Sequence, residues 1–376
     1  MTTMLQPAVA TGTTTAPPVK KKRTRLVTLD LMRGYYVGVL AAIHLNYVPS
    51  LLGLVDGRGE LLVSEAEGFF MISGLLVGML RRRDLERYGI VKMTLSSWKR
   101  AAQLYIVAVP LTLLFTFIAR TALGHGHTQV KGSLDQRSDW PHLLENSLNL
   151  SYTYGWADFL TYYVPMFLVA PAIVWLLSRK LWPVVLVLAY FGYWETTHIN
   201  TGYYRPFLQW GVYFFIGAAA GYHWDDLRGL MARLSPSWRR RLRGGLMCAA
   251  IVLYAIGLLF LFKRGLIAHS ATYTDLFGDN RLGVLRPLAA PISVAGTYFL
   301  VRKFEKPLAR TIGKVIIPFG RSSLYVYVAQ SFVVFLTPLV FGRQGFLLNT
   351  LYDFAIMALI WVGVRVRFLA FLIPRA

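Results

Sequence analysis

The stretch RLVTLDLMRGYYVGVLAAIHL (residues 25–45) decides the fold. It is apolar over most of its length, and it has the roughly 20 residues needed to cross a hydrocarbon core as a helix. Its ionisable residues are Arg25, Asp30, Arg33 and His44. Arg33 and His44 are eleven positions apart. Eleven helical steps of about 100° return within about 20° of the start, so both lie on one face, roughly 16 Å apart along the axis. Ionisable groups at membrane depth are costly, and each is a candidate functional residue. The structural alternative is that Arg33 snorkels or pairs with Asp30, and that His44 caps the interface.

Similar runs recur along the chain, centred on 27–48, 61–80, 99–119, 157–178, 181–198, 206–223, 244–262, 285–301, 317–341 and 346–372. The 376 residues are 55% hydrophobic and 15% charged. A soluble domain is about 25% charged, so a soluble chain is excluded. Disorder is excluded as well, because so apolar a chain cannot stay solvated. The single cysteine, Cys248, excludes a disulfide scaffold and a cysteine metal site. The net charge of +22 suggests nucleic acid when counted whole. Split by the alternating gaps, 28 of the 40 Lys and Arg fall on one side, ten on the other, and Arg33 and Arg321 lie within spans. The positive-inside rule puts the basic side in the cytoplasm.

The expected fold is therefore an all-α polytopic membrane protein of about ten transmembrane helices. Both termini are cytoplasmic, in the plasma (inner) membrane, with lipid and no nucleic acid as partner. Residues 1–25 read as a disordered basic cytoplasmic tail and 26–376 as a single transmembrane domain with a long outer loop, 121–156. Segment 81–98, RRRDLERYGIVKMTLSSW, has the composition of an amphipathic helix on the inner surface.

The second run, LLVSEAEGFFMISGLLVGML (61–80), carries Glu65 and Glu67 near its outer end. Glu67 lies about as deep as His44 in the antiparallel neighbour. A carboxylate beside an imidazole fixes its tautomer and supports it as a general base. Such a pair also simply ties two helices together. Ser73, Gly74 and Gly78 permit close helix approach. Arg321, in IPFGRSSLYVYVAQS (317–331), lies just inside the inner edge. With Arg33, Lys99 and Arg100 it lines a basic cytoplasmic mouth that suits a polyphosphate. For Lys99 and Arg100, topology alone explains the charge equally well.

These residues resemble a family. Arg33 and His44 match the Arg-x10-His motif of the acyltransferase-3 superfamily. EGFFMISGLLVG matches its acidic-x-Phe-Phe-x-x-Ser-Gly segment through Glu67, Phe69, Phe70, Ser73 and Gly74. GRSSLYVYVAQS resembles its late Gly-x-x-Ser-Leu-x-x-Tyr helix. Within the superfamily the chain is most similar to the OpgC group, which modifies osmoregulated periplasmic glucans. That likeness rests on SEAEGFF, on WKRAAQLYIVAV through Arg100, Gln103, Leu104 and Tyr105, and on DFLTYYVPMFLVAP through Asp158. It rests also on RPFLQWGVYFFIGAAAG, where Arg205 replaces an Asn and Gln209-Trp210 inverts the group's order.

The resemblance implies a membrane O-acyltransferase that carries an acyl group from cytoplasmic acyl-CoA to a hydroxyl of an extracytoplasmic glycan or glycolipid; the OpgC group implies succinyl, and the wider superfamily more often acetyl. The donor's nucleotide end would sit on Arg33, Lys99, Arg100 and Arg321, with its arm passing Ser73 and Gly74. His44 would act as general base, oriented by Glu67, or would carry the acyl group itself. Glu65, Trp156, Asp158, Tyr163, Glu195 and Arg205 are expected to meet the acceptor. Trp and Tyr at span ends also form the ordinary interfacial belt. No metal is expected, since His125, His127 and His142 lack motif spacing. The competing readings are a transporter or flippase of an acidic metabolite and a non-catalytic membrane partner in an envelope complex.

Overall fold

The computed structural model describes residues 26–366 except 56, 58–59, 128–129, 131, 199–204, 263–274 and 279–282. The expected tail, residues 1–25, lies outside the described residues. Helices dominate, with no strand among the described residues. In chain order they are α1 (Val27–Leu45), α2 (Leu51–Val55), α3 (Glu65–Gly124), α4 (Trp140–Leu148), α5 (Asp158–Ser178), α6 (Trp182–His198) and α7 (Arg205–Tyr222). There follow α8 (Trp224–Arg233), α9 (Pro236–Phe262), α10 (Arg286–Lys303), α11 (Glu305–Arg310), α12 (Gly313–Arg321), α13 (Ser323–Val340) and α14 (Phe346–Val366). Eight of the ten apolar runs fall on one helix or one arm of a helix; 317–341 is divided between α12 and α13, and 346–372 falls on α14 as far as the described residues reach. Five helices, α3, α5, α9, α13 and α14, are long and apolar enough to cross a membrane by length and composition.

Two breaks in these helices position the site. Gly89 interrupts α3 at φ 78°, where a side chain would be strained. In a straight helix, Arg81 and Ser96 would stand about 22 Å apart. Instead Arg81 donates a hydrogen bond to Ser96, so the two arms fold back on each other at Gly89. The expected second and third spans and the amphipathic segment between them are thus one folded-back element. The segment exposes Tyr88, Ile90, Val91, Leu95 and Trp98, as a helix lying at a lipid surface would. The second break divides the expected run 317–341 at Ser322, ending α12 and starting α13 at Ser323.

Glycines set the closest helix crossings. A Cβ at Gly74 would stand 1.9 Å from the Phe214 carbonyl oxygen, and one at Gly78 2.1 Å from that of Ala218. Reciprocally, Gly217 and Gly221 of α7 face the carbonyls of Met71 and Leu75 at 2.0 and 1.9 Å. Both helices thus present Gly-x3-Gly, and their backbones approach as only glycines allow. Gly74, expected to pass the donor, also sets this crossing. Gly34 and Gly320 join α1 to α12 in the same way.

The outer loop is tied down by Arg120, which donates to the carbonyls of Asp135 (3.0 and 2.8 Å) and Ser138 (2.7 Å). The Asp135 carboxylate accepts from the backbone of Arg137 and Ser138 at 2.9 and 3.0 Å. Hydrogen bonds from Ser138 and Arg137 lower its pKa to about 2. Asp139 caps α4 by accepting from the His142 backbone at 3.1 Å. Each holds the other's charged form, so the Asp139 pKa is lowered and the His142 pKa raised.

Candidate active site

Four helices, α1, α3, α5 and α13, bring the central residues together. At one end, Arg33 of α1 donates to the Ser323 hydroxyl at the start of α13. Ser323 is available there because the chain breaks one residue earlier. Arg81 and Arg33 lie close enough to Arg100 for their charges to act on it. Arg81 also donates to Asp84 at 2.6 Å and Arg100 to Gln103 at 3.2 Å. Asp84, Ser96, Gln103 and Ser323 bond to these three guanidinium groups. A concentration of cations suits a polyanion.

The middle of the site is aromatic. The Tyr163 hydroxyl donates to Ser73 at 3.1 Å, and Arg33 is near enough to act on that hydroxyl electrostatically. The Tyr163 ring stacks on Phe70 (4.7 Å between centroids, 22° between planes). Trp210 also stacks on Phe70 at 5.2 Å, and Phe159 lies 5.3 Å from Phe70. Tyr163, expected among the acceptor contacts, therefore stands beside Ser73 and Arg33. The inverted Gln209-Trp210 order places the indole in this aromatic wall.

At the far end, His44 stacks on Trp156, with centroids 4.3 Å apart and planes at 21°. Phe159 meets its ring edge-on at 6.0 Å. Ser331 of α13 donates to the Trp156 carbonyl at 3.0 Å. The Asp158 carboxylate accepts from the Phe159 backbone at 2.9 Å and lies 3.5 Å from the Tyr327 hydroxyl. The α1 and α13 helices therefore run parallel, meeting first at Arg33–Ser323 and later through Trp156.

Gln330 sits one residue before Ser331, fully buried. Among the described residues neither of its amide atoms has a hydrogen-bond partner. Seven residues from Ser323 return within about 20° of the same face, roughly 10 Å farther along α13. It thus stands at a level between Arg33 and His44. Sequence reading passed over it because a single Gln in an apolar helix carries no motif.

Several expected residues lie elsewhere. Among the described residues Glu67 is ion-paired with Arg286 of α10 rather than with His44: Arg286 Nε stands 2.8 Å from Glu67 Oε1. Arg286 and Glu67 side chains are 1% and 0% exposed, so the pair is fully sealed. Ser64 donates its backbone N–H to Glu67 at 2.5 Å as part of the α3 cap. Arg286 adds bonds to the carbonyls of Leu61 (3.0 Å) and Phe277 (3.2 Å). Glu67 was expected to face α1, but the rotation of α3 turns it to α10.

Glu65 is buried beside a separate cavity of about 400 Å³ that it lines with Tyr36 and Ser64. Arg321 pairs with Asp30 at 3.2 Å and is 46% exposed. Lys99 is exposed, outside the Arg33–Arg81–Arg100 group. Glu195 and Arg205 are half-buried at the facing ends of α6 and α7. Among the described residues neither is hydrogen-bonded or ion-paired to His44, Trp156 or Asp158. Tyr203 and Tyr204 lie outside the described residues, as does the side chain of His198. Arg81, Ser323, Trp210 and Gln330 carry no motif that singles them out in the sequence; Arg286, which with Arg205 is a candidate cation for the distal carboxylate of a succinyl donor, pairs with Glu67.

Comparison with known proteins found a match to the family model described as OpgC protein over residues 25–370. No curated protein and no solved structure matched the chain.

Proposed function

The chain belongs to the OpgC family, which covers nearly its whole length, and from that membership we propose a multi-pass membrane O-acyltransferase. It moves an acyl group, succinyl in preference to acetyl, from cytoplasmic acyl-CoA to a hydroxyl of an envelope glycan outside the inner membrane. Both termini face the cytoplasm in this reading. The observation that carries it is the line of polar groups through α1, α3, α5 and α13. Arg33 with Ser323, Ser73 with Tyr163, and His44 on Trp156 succeed one another along it.

Arg33, Arg81 and Arg100 hold the donor's phosphates at the inner end, where charge-assisted bonds are strongest. The pantetheine arm runs outward past Ser73 and Tyr163. It brings the thioester toward Gln330, whose amide N–H donates to the thioester carbonyl oxygen. The acceptor sugar packs on Trp156 and meets Asp158.

His44 takes the proton of the acceptor hydroxyl as that oxygen attacks the thioester carbon. The carbon–sulfur bond breaks, and the imidazolium returns the proton to the departing CoA thiolate. Stacking on Trp156 fixes the plane of the imidazole; Glu67 has no part in the step, since Arg286 holds its charge. With Arg286 so occupied, Arg205 is the cation left to meet the distal carboxylate of a succinyl donor.

Mass spectrometry of envelope glycans from cells with and without the gene tests this reading. A succinyl mass lost with the gene supports it. Identical glycan acylation in both strains refutes it.

A further inference from the structure

A cavity of about 1110 Å³ lies among α1, α3, α7, α8, α9 and α10. Its inner wall is Leu29 and Met32 of α1 with Met71, Ile72 and Leu75 of α3. On α3, Ile72 precedes Ser73 by one residue, and on α1, Met32 precedes Arg33. A helix turns about 100° per residue, so Ile72 and Met32 point about 100° away from Ser73 and Arg33, while Leu29, four residues before Arg33, lies within about 40° of it. The outer wall is α10, and the floor is α8 with the first turns of α9. Pro291 and Lys303 of α10 both line it, giving a length of roughly 18 Å.

The two ends differ in chemistry. The deep end is aliphatic and rich in methionine. The mouth carries Arg228, Arg239, Arg240, Arg243, Arg302 and Lys303, and no carboxylate is among the residues lining the cavity. Among the described residues Arg228 alone of these is ion-paired, with Asp225 at 3.8 Å, and both are largely exposed. Arg239 spends one nitrogen on the carbonyls of Ala232 and Leu234. Arg243 stands 5.7 Å over the Phe299 ring. Six cations at the rim of a long apolar shaft exceed what orientation in the membrane requires.

We infer that this cavity binds an anionic phospholipid of the cytoplasmic leaflet. The headgroup phosphate lies among Arg239, Arg240 and Arg243, and one acyl chain enters the shaft toward Met71 and Ile72. The mouth complements the negative charge of that leaflet, and the shaft complements the chain. A zwitterionic lipid would leave the cations uncompensated, and a soluble anion would leave the shaft unfilled.

Native mass spectrometry of the full chain, released from vesicles of phosphatidylglycerol and phosphatidylcholine in equal parts, tests the assignment. Preferential retention of one phosphatidylglycerol is expected. The triple variant Arg239→Gln, Arg240→Gln, Arg243→Gln should weaken that retention about a hundredfold, from three cations near a lipid surface. Because that variant removes topogenic charge, Ala295→Phe provides a second test. Ala295 lines the shaft, and filling it should expel the lipid with every cation in place. Equal retention of both lipids overturns the assignment. Retention unchanged in Ala295→Phe overturns it too, since the lipid would then sit on the surface. One-for-one displacement by coenzyme A would make it a soluble-anion site and equally overturn it.

Discussion

Removing either partner of the Glu67–Arg286 pair should damage the fold rather than the chemistry. The two side chains are 2.8 Å apart and 0% and 1% exposed. Breaking a buried pair strands a charge, which costs about 3–5 kcal/mol. Arg286 also loses its place on the Leu61 and Phe277 carbonyls when Glu67 no longer holds it. Arg286→Met should be the worse, because it removes the cation that balances the buried Glu67 carboxylate, close to Tyr193 and Tyr213. Glu67→Gln keeps the shape and an acceptor for Ser64, so its cost falls near the lower bound. At a few degrees per kcal/mol, apparent melting temperatures should fall by about 6–15 °C. Tryptophan fluorescence in detergent reads this. The double variant Glu67→Leu, Arg286→Met should be less destabilised than the sum of the singles, because the stranded charges vanish together. Below its melting temperature, Glu67→Gln should retain most acyl transfer. A Glu67→Gln protein as stable as the native one, yet without transfer, would refute this reasoning and return Glu67 to His44.

Other sites separate packing from chemistry. Gly74→Ala drives a Cβ into the Phe214 carbonyl 1.9 Å away and should abolish monodisperse extraction. By contrast Gly244→Ala, with nothing within 4 Å on an exposed turn of α9, should gain about 0.5–1 kcal/mol of helix propensity. Gln330→Leu replaces an amide without partners and should leave the melting temperature equal or higher while lowering kcat for transfer, which a thermal scan and a rate assay read together. Asp135 has a folded pKa of about 2 against an unfolded value near 3.9. Its stabilising effect is therefore complete above about pH 4 and lost as pH falls toward 2. Hydrogen exchange at the Arg137 and Ser138 amides should be protected at neutral pH and unprotected near pH 2, and unprotected at both in Asp135→Ala.

Much of this architecture is legible in the chain because membrane helices obey length and hydropathy. Most of the apolar runs coincide with single helices or helix arms for that reason, though 317–341 divides between α12 and α13. The Arg33–His44 face follows from helical periodicity within one element. Tyr163 next to Ser73 and Trp156 against His44 join residues that the motifs had already singled out. What stayed hidden depends on how neighbouring helices rotate and cross. Glu67 faces Arg286, which is 219 positions later, and no periodicity within α3 states that orientation. Gly74 carries two meanings, donor passage and close packing, and only the Phe214 carbonyl above it shows the second. Arg81 looked like a topology signal because its meeting with Ser96 requires the fold-back at Gly89. Asp30 sits three residues before Arg33, yet Arg321 takes it, since α12 packs on α1 through Gly34 and Gly320.

The central claim is that His44 is the base and Arg33 the anchor of the donor. Acyl transfer and acyl-CoA binding, measured side by side on purified native, His44→Ala and Arg33→Ala proteins, test it directly. His44→Ala should lose transfer and keep donor affinity. Arg33→Ala should weaken donor affinity roughly 10–100-fold, as expected for losing a charge-assisted bond. Transfer by His44→Ala at the native rate, or unchanged donor affinity in Arg33→Ala, would contradict the account.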